Sequence, residues 1–310
     1  RQNRIGSSSI SRTTPLQPVD GLVIPLTGAT VDGKPLTFNR APSADLEPWV
    51  SRVFVLQVDA PADHHMRCAL LNDTPYIRSL TVGDWTATTA SGVKAVGHNS
   101  YLFGPQTVRL PVTVTGPIFA AGLGIRPAAW AALAGAAGPR LINDLAPLAH
   151  LGMDPAPFAT AVAGGVDRSL WLDGLEQAFR QLLEGLDWPR PDAVCESFDQ
   201  ASLIDPDFSI ADFADQHGIG QHKLARQVKR GFGLTPKAVL RRCRALDLAA
   251  QLLGVGDPGE AEDLVLRYFD QSHIIREFHH FFGMTPRQFR IADQPIMRLS
   301  LESRQARRRE

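Results

Sequence analysis

The chemistry best supplied in this 310-residue chain is the recognition of a polyanion. Between Gln221 and Arg244 stand Lys223, Arg226, Lys229, Arg230, Lys237, Arg241, Arg242 and Arg244, with no Asp or Glu before Asp247. A positive field of that density suits the phosphates of a nucleic acid. Formal net charge is zero, but residues 1–205 hold 15 Lys and Arg against 19 Asp and Glu, and residues 206–310 hold 17 against 13. A net −4 therefore precedes a net +4, which argues against a wholly basic coat protein and for a basic C-terminal part.

Other chemistries find less material. Asp63, His64, His65 and Cys68 form a tempting metal cluster, but adjacent histidines on a strand point to opposite faces. The pattern of two histidines one residue apart with a following glutamate, expected of a metal-binding cupin barrel, is missing. Cys68, Cys195 and Cys243 lie far apart without a C-x-x-C pair, so neither a zinc site, nor a disulfide framework, nor zinc-held thiols for alkyl transfer are expected. No G-x-S-x-G, Walker-type glycine loop or H-E-x-x-H is present. The expectation is a non-enzyme without metal or cofactor.

Something must position the basic residues. A hydrophobic fraction of 44% and a charged fraction of 21% are those of a globular protein, and the length favours two domains. From Trp49 to about Ile125 short β-prone runs alternate with turn residues, as in Val50–Val58, Met66–Leu71, Tyr76–Val82, Ser100–Phe103, Thr107–Val114 and Ile118–Ile125. Many short strands predict a barrel or sandwich. A proline-opened helix from Pro127 and a short helix in LINDLAPLAHLG would cap it. Residues 166–186 place Leu172, Leu175, Phe179, Leu182, Leu183 and Leu186 on one helical stripe, for packing on the β unit or for pairing with a second copy.

Beyond WPRPDA the pattern is helical throughout. Asp207–Pro236 reads as two short helices joined by a tight turn, with Ser209 capping the first and Gly218 ending it. Ile210, Phe213 and Ala214 face Leu224, Val228 and Phe232, which leaves His222, Arg226 and Lys229 on an outward stripe of the second helix, as entry into a major groove requires. After a long helix from Thr235 to Leu253, Tyr268–Pro286 repeats the plan, with Asp270 as cap and Ile274, Ile275, Phe278 and Phe282 inward. GFGLTPKAVLR and FFGMTPRQFR carry a helix-ending Gly and a Thr-Pro helix start at the same offset. The helix-turn-helix is duplicated.

SIADFADQHGIGQHKLARQVKRGFGLTPKAVLR and YFDQSHIIREFHHFFGMTPRQF resemble the two helix-turn-helix units of the AraC family of transcription regulators, over roughly residues 192–291. YLFGPQTVRLPVTVTGPIFAAGLGIRPAAWAALAG and LINDLAPL are similar to the β-rich N-terminal domain of some of those regulators. The resemblance implies an α+β chain: a β-rich barrel or sandwich-like domain with flanking helices, then an all-α, homeodomain-like double helix-turn-helix domain. Its divisions would be a disordered lead-in at 1–14, a sensor or dimerisation domain at 15–160, a connecting helix and linker at 161–190, the DNA-binding domain at 191–292 and a tail at 293–310.

Carried over by matched position, the resemblance implies that His222, Ala225 and Arg226 of the first recognition helix, and Gln271, Ser272 and Arg276 of the second, face base edges. Lys223, Lys229, Lys237 and Arg241 are placed for phosphates. The sequence departs from the family pattern at Arg267, which stands at the glycine of the second turn, and at Glu262 and Asp263, which stand where apolar residues are usual. The implied partners are promoter DNA, a small-molecule effector, RNA polymerase and a second copy of the chain, with no membrane. A run of roughly 18 apolar residues is missing, as is a secretory signal, so a cytoplasmic site is expected. Two alternatives stay open: an effector-independent DNA-binding protein whose N-terminal half recruits protein partners, and a cupin-type metalloenzyme fused to a DNA-binding domain. The terminal RQARRRE reads as a disordered tail.

Overall fold

A computed structural model describes residues 22–23, 37–58, 60–163, 168–188, 190–256, 272–292 and 294–309. The first 14 residues, Asp270, Gln271, Arg267, Glu262 and Asp263 lie outside the described residues, as does the side chain of Ile274. No helix among the described residues is long and apolar enough to cross a membrane.

The N-terminal half is built on one antiparallel sheet. Its strands are β1 (Leu22–Val23), β2 (Thr37–Arg40), β3 (Val50–Val58), β4 (His65–Leu70), β5 (Tyr76–Thr89), β6 (Gly92–Val96), β7 (Ser100–Phe103), β8 (Leu110–Ile125) and β9 (Leu145–Pro147). They run in the order β1-β2-β3-β8-β5-β7-β9, with β4 on the first half of β8 and β6 on the second half of β5. The 16-residue β8 is the spine because its alternating residues supply both faces. Gly122 makes this possible at one close approach: a Cβ there would lie 2.0 Å from the carbonyl oxygen of Ile77 on β5.

The two faces bury different things. Val53, Val55, Ile77, Leu102, Ala121, Leu123 and Ile125 point to one side, where α1 (Pro127–Ala134), α2 (Ala156–Ala163) and α3 (Arg168–Gly185) bring Trp130, Phe158, Leu172, Leu175 and Phe179. The leucine stripe of α3 thus packs on the sheet, with Leu186 left outside the helix and exposed. LINDLAPLAHLG, expected as a helix, instead forms β9 and a short 3-10 turn, Leu148–Leu151. Asp144 there accepts from Lys94 at 2.5 Å and from the Leu145 N–H at 2.7 Å, which directs the chain onto β7.

The opposite face, carrying Leu56, Tyr76, Leu80, Phe103 and Ala120, is covered by the C-terminal half. That half consists of α4 (Ala193–Ile204), α5 (Ile210–Gln216), α6 (Gln221–Phe232), α7 (Pro236–Leu252), α8 (Ser272–Phe282), α9 (Pro286–Ile291) and α10 (Pro295–Arg309). Leu246, Ala249, Phe278, Phe281, Phe282, Phe289, Met297 and Leu299 join the sheet residues in one apolar cluster. The two halves therefore share a core.

Helix α10 corrects the expectation that the chain is disordered from Arg304, over residues 304–309. Its arginines are drawn inward by carboxylates that lie far away in sequence. Arg304 pairs with Asp247 of α7 and approaches Asp73 at 3.5 Å, while Arg307 pairs with Asp73 at 3.1 Å and with Asp199 of α4 at 2.8 Å. Burial alone would raise Asp73, but the guanidinium groups of Arg307, Arg304 and Arg242 outweigh it and hold this carboxyl below its ordinary range. Residues 304–308 form a clamp because the charges of Arg304, Arg307 and Arg308 are paired in place.

Candidate nucleic-acid interface

The first helix-turn-helix forms as its local chemistry dictates. The Ser209 hydroxyl accepts from the Asp212 N–H at 3.2 Å and caps α5. Gly218 adopts φ +61° and turns the chain into α6. Phe198 of α4 anchors the unit, with Phe208, Phe213 and Phe232 packed edge-on around it at 5.4, 5.3 and 6.0 Å between ring centroids. Leu224, Val228 and Phe232 are buried at the expected i, i+4 spacing. His222, Lys223, Arg226, Lys229 and Arg230 are exposed on α6, and Ala225 is half-buried beside them.

The second unit repeats the exit geometry almost residue for residue. Gly233 ends α6 at φ +67° and Gly283 ends α8 at φ +66°. Thr235 then caps α7, and Thr285 caps α9 in a reciprocal box with Gln288, each followed by a proline in the first helical turn. Phe278, Phe282 and Phe289 stack together, with Ile275 half-buried at the margin. Ser272 and Arg276 are exposed, and the Arg276 Nε donates to the Ser272 carbonyl of its own helix at 3.3 Å. Gln271, the third candidate of this helix, lies outside the described residues.

Long-range partners divide the basic stretch in a way its sequence could not reveal. Arg241 forms an ion pair of 2.7 Å with Glu277 of α8, at an angle short of a hydrogen bond, and so ties α7 to α8. Arg242 is buried and donates to the carbonyls of Gln106 and Asp73 at 2.7 and 2.9 Å. Arg244 pairs with Asp207 at 2.9 Å. The exposed cationic surface narrows to Lys223, Arg226, Lys229, Arg230 and Lys237. One flank of it meets the N-terminal half: Arg226, Lys229 and Arg230 line a cleft of about 320 Å³ against Trp130, Gly135, Pro139 and Ile142. The C-terminal end of α6 is seated on α1, since a Cβ at Gly231 would fall 2.5 Å from the Pro127 carbonyl oxygen.

Elsewhere, His64 and His65 are exposed, and His65 Nδ1 lies 3.0 Å from the Thr115 hydroxyl. No group of three or more His, Cys, Asp or Glu is placed to hold a metal among the described residues. Cys68, Cys195 and Cys243 are buried and form no disulfide among the described residues, and burial pushes the thiols of the last two up, away from thiolate character.

A family model described as a helix-turn-helix domain matches residues 213–292, the stretch that holds both Gly-x-Thr-Pro exits. The chain carries an AraC-type helix-turn-helix domain. No curated protein matches the chain. Among solved structures, ToxT from Vibrio cholerae bound to an unsaturated fatty acid is 12% identical over 76% of this chain and 94% of that one, at a TM-score of 0.43. Another ToxT crystal form is 10% identical over 76% and 97%, at 0.44. The AraC-like transcriptional activator CuxR is 12% identical over 67% and 84%, at 0.28. Overlaps this loose identify no shared ligand. In the AraC-type domain, α6 and α8 are the second helices of the two units, and α7 is the strut between them.

Proposed function

We propose that the protein is a transcriptional regulator that reads promoter DNA with α6 and α8 in successive major grooves. The observation that carries this reading is the pair of matched units, each with an exposed arginine, Arg226 or Arg276, on its second helix. A guanidinium can donate two hydrogen bonds to guanine O6 and N7. His222, Ala225, Gln271 and Ser272 complete the base-reading set, with Ala225 limited to a methyl contact. Lys223, Lys229 and Lys237 bind phosphates and supply salt-dependent affinity without reading sequence. Arg241, the fourth phosphate candidate, also pairs with Glu277 of α8.

The N-terminal half controls this reading through a small-molecule effector, with a second copy of the chain supplying the second half-site and RNA polymerase the downstream contact. Its place of action is the cytoplasm, where promoter DNA is accessible. Control requires that the effector bind one arrangement of the two halves better than another, and the shared core supplies the physical connection.

The test is selection of binding sites from genomic fragments by purified full-length protein at fixed physiological salt. A shared motif with two segments about one helical turn apart supports two-unit reading. Fragments with no common motif would overturn sequence-specific recognition by the protein alone.

A further inference from the structure

Arg78 is the charged residue in the N-terminal half that the DNA-binding reading leaves unexplained. It lies on β5, opposite Gly122 and Tyr101, and only 4% of its surface is exposed. Its Nε and Nη1 have no hydrogen-bond partner among the described residues, and no carboxylate pairs with it. Four aromatic rings surround the guanidinium instead, with centroids at 4.6 Å (Tyr76), 5.4 Å (Phe54), 5.6 Å (Phe103) and 5.9 Å (Trp85). Ring faces attract a cation, but they leave its N–H donors unused. Burial accordingly lowers the guanidinium's affinity for its proton from the ordinary arginine value.

Arg78 lines a cleft of about 80 Å³ between the sheet and α10. One wall is β3 and β5, with Phe54, Leu56 and Tyr76, and the other is α10, with Ile296 and Leu299. That volume exceeds what one or two waters need. Arg52, Arg304 and Arg307 also border it, the first held by Asn39 and the other two by Asp247, Asp199 and Asp73. Arg304 leaves a further buried nitrogen, Nη2, without an acceptor. A cleft with the carboxylate-free guanidinium of Arg78 on one side and apolar walls selects an anion with an apolar body. A carboxylate is the planar partner that a guanidinium fork matches.

We propose that this cleft is a binding site for a small organic monocarboxylate, held by Arg78 on the sheet side and covered by α10. The site deepens the effector reading given above and rests on it for its regulatory meaning. Its position makes the coupling direct. α10 follows α9 of the second helix-turn-helix unit, and its Arg304 and Arg307 pair with carboxylates of both halves. An occupant pressing on Leu299 therefore acts on the helix that ties the second unit to the sheet.

The experiment uses the full chain, titrated calorimetrically with benzoate, phenylacetate and hexanoate, with benzyl alcohol as a neutral control and inorganic phosphate as a non-apolar anion. Saturable binding of at least one carboxylate, with none of benzyl alcohol or phosphate, is expected. Arg78→Met should weaken that binding by about tenfold or more. It should also raise the melting temperature of the free protein, because it replaces an unpaired buried cation by an apolar side chain of similar length. Leu299→Trp, which fills the cleft from the α10 side, should abolish binding with Arg78 intact. Heats that Arg78→Met leaves unchanged, or no binding of any of the three acids, would overturn the site and leave a water-filled cleft only. A lower melting temperature for Arg78→Met would count against it equally. Fluorescence anisotropy on a selected DNA site separates the two readings: carboxylate binding that leaves DNA affinity unchanged sustains the site and removes its role as an effector site.

Discussion

The two helix-turn-helix units share their turns and caps, yet they are held by different parts of the molecule. The first closes its own core around Phe198, and Ala128 is the one member of that cluster from the N-terminal half among the described residues. The aromatic residues of the second, Phe278, Phe281, Phe282 and Phe289, belong to the cluster that runs through the sheet. The backbone N–H of Arg109 on the loop before β8 donates to the Phe281 carbonyl at 2.9 Å, which fastens the end of α8 to the N-terminal half. A rearrangement of the sheet can reach the second unit through this shared cluster, whereas it reaches the first through α1, on which the end of α6 is seated. Matched local geometry therefore does not imply matched coupling.

The largest expected effect tests the clamp that makes this difference. Arg304→Met leaves Asp247 buried without its closest partner and should destabilise the protein by about 3–5 kcal/mol in urea unfolding. A loss below about 1 kcal/mol would mean that α10 does not fasten the second unit. Phe278→Ala should cost a comparable ~3–5 kcal/mol, and hydrogen exchange should quicken in β4 and β8 as well as in α8. Phe213→Ala should confine its effect to α4–α6. Faster exchange limited to α8 and α9 in the Phe278 variant would break the comparison.

What the sequence disclosed and what it hid follow the range of the interactions. Ser209, Thr235, Thr285 and the three positive-φ glycines Gly218, Gly233 and Gly283 act within a few residues of themselves, so both units were legible. The role of RQARRRE was not, because Asp73, Asp199 and Asp247, the partners of its arginines, come from three distant segments. The same holds for Arg241, whose partner Glu277 lies beyond the whole of α7. Arg78 gave no signal in sequence, since its unusual feature is a missing partner, which only the folded chain reveals.

Smaller effects sharpen the contrast. Thr285 takes part in a reciprocal box with Gln288, while Thr235 makes a single long contact of 3.4 Å to the Ala238 N–H. Both changes to Ala should cost about 0.5–2 kcal/mol in thermal unfolding, with Thr285→Ala the costlier. Equal losses would say that the second side of the box contributes nothing. Asp45, remote from both units, accepts from Arg180 at 2.7 and 2.9 Å, and this hydrogen bonding lowers its pKa from 3.8 to about 2. A depressed folded value favours the folded state fully above the ordinary value, and that contribution fades as pH falls through about 2. Asp45 is half exposed, so Asp45→Ala should cost below about 1 kcal/mol at neutral pH and nothing at the acid end. A loss that persists at the acid end would assign its effect to something other than this ion pair.

The claim that both units read sequence is tested most directly by repeating the site selection with Arg226→Ala and Arg276→Ala. Each variant is expected to lose preference at a different segment of the motif, about one helical turn apart, with a local discrimination loss of about 1–3 kcal/mol. Two variants that weaken every sequence alike, or that erase the same positions, would contradict two-unit reading.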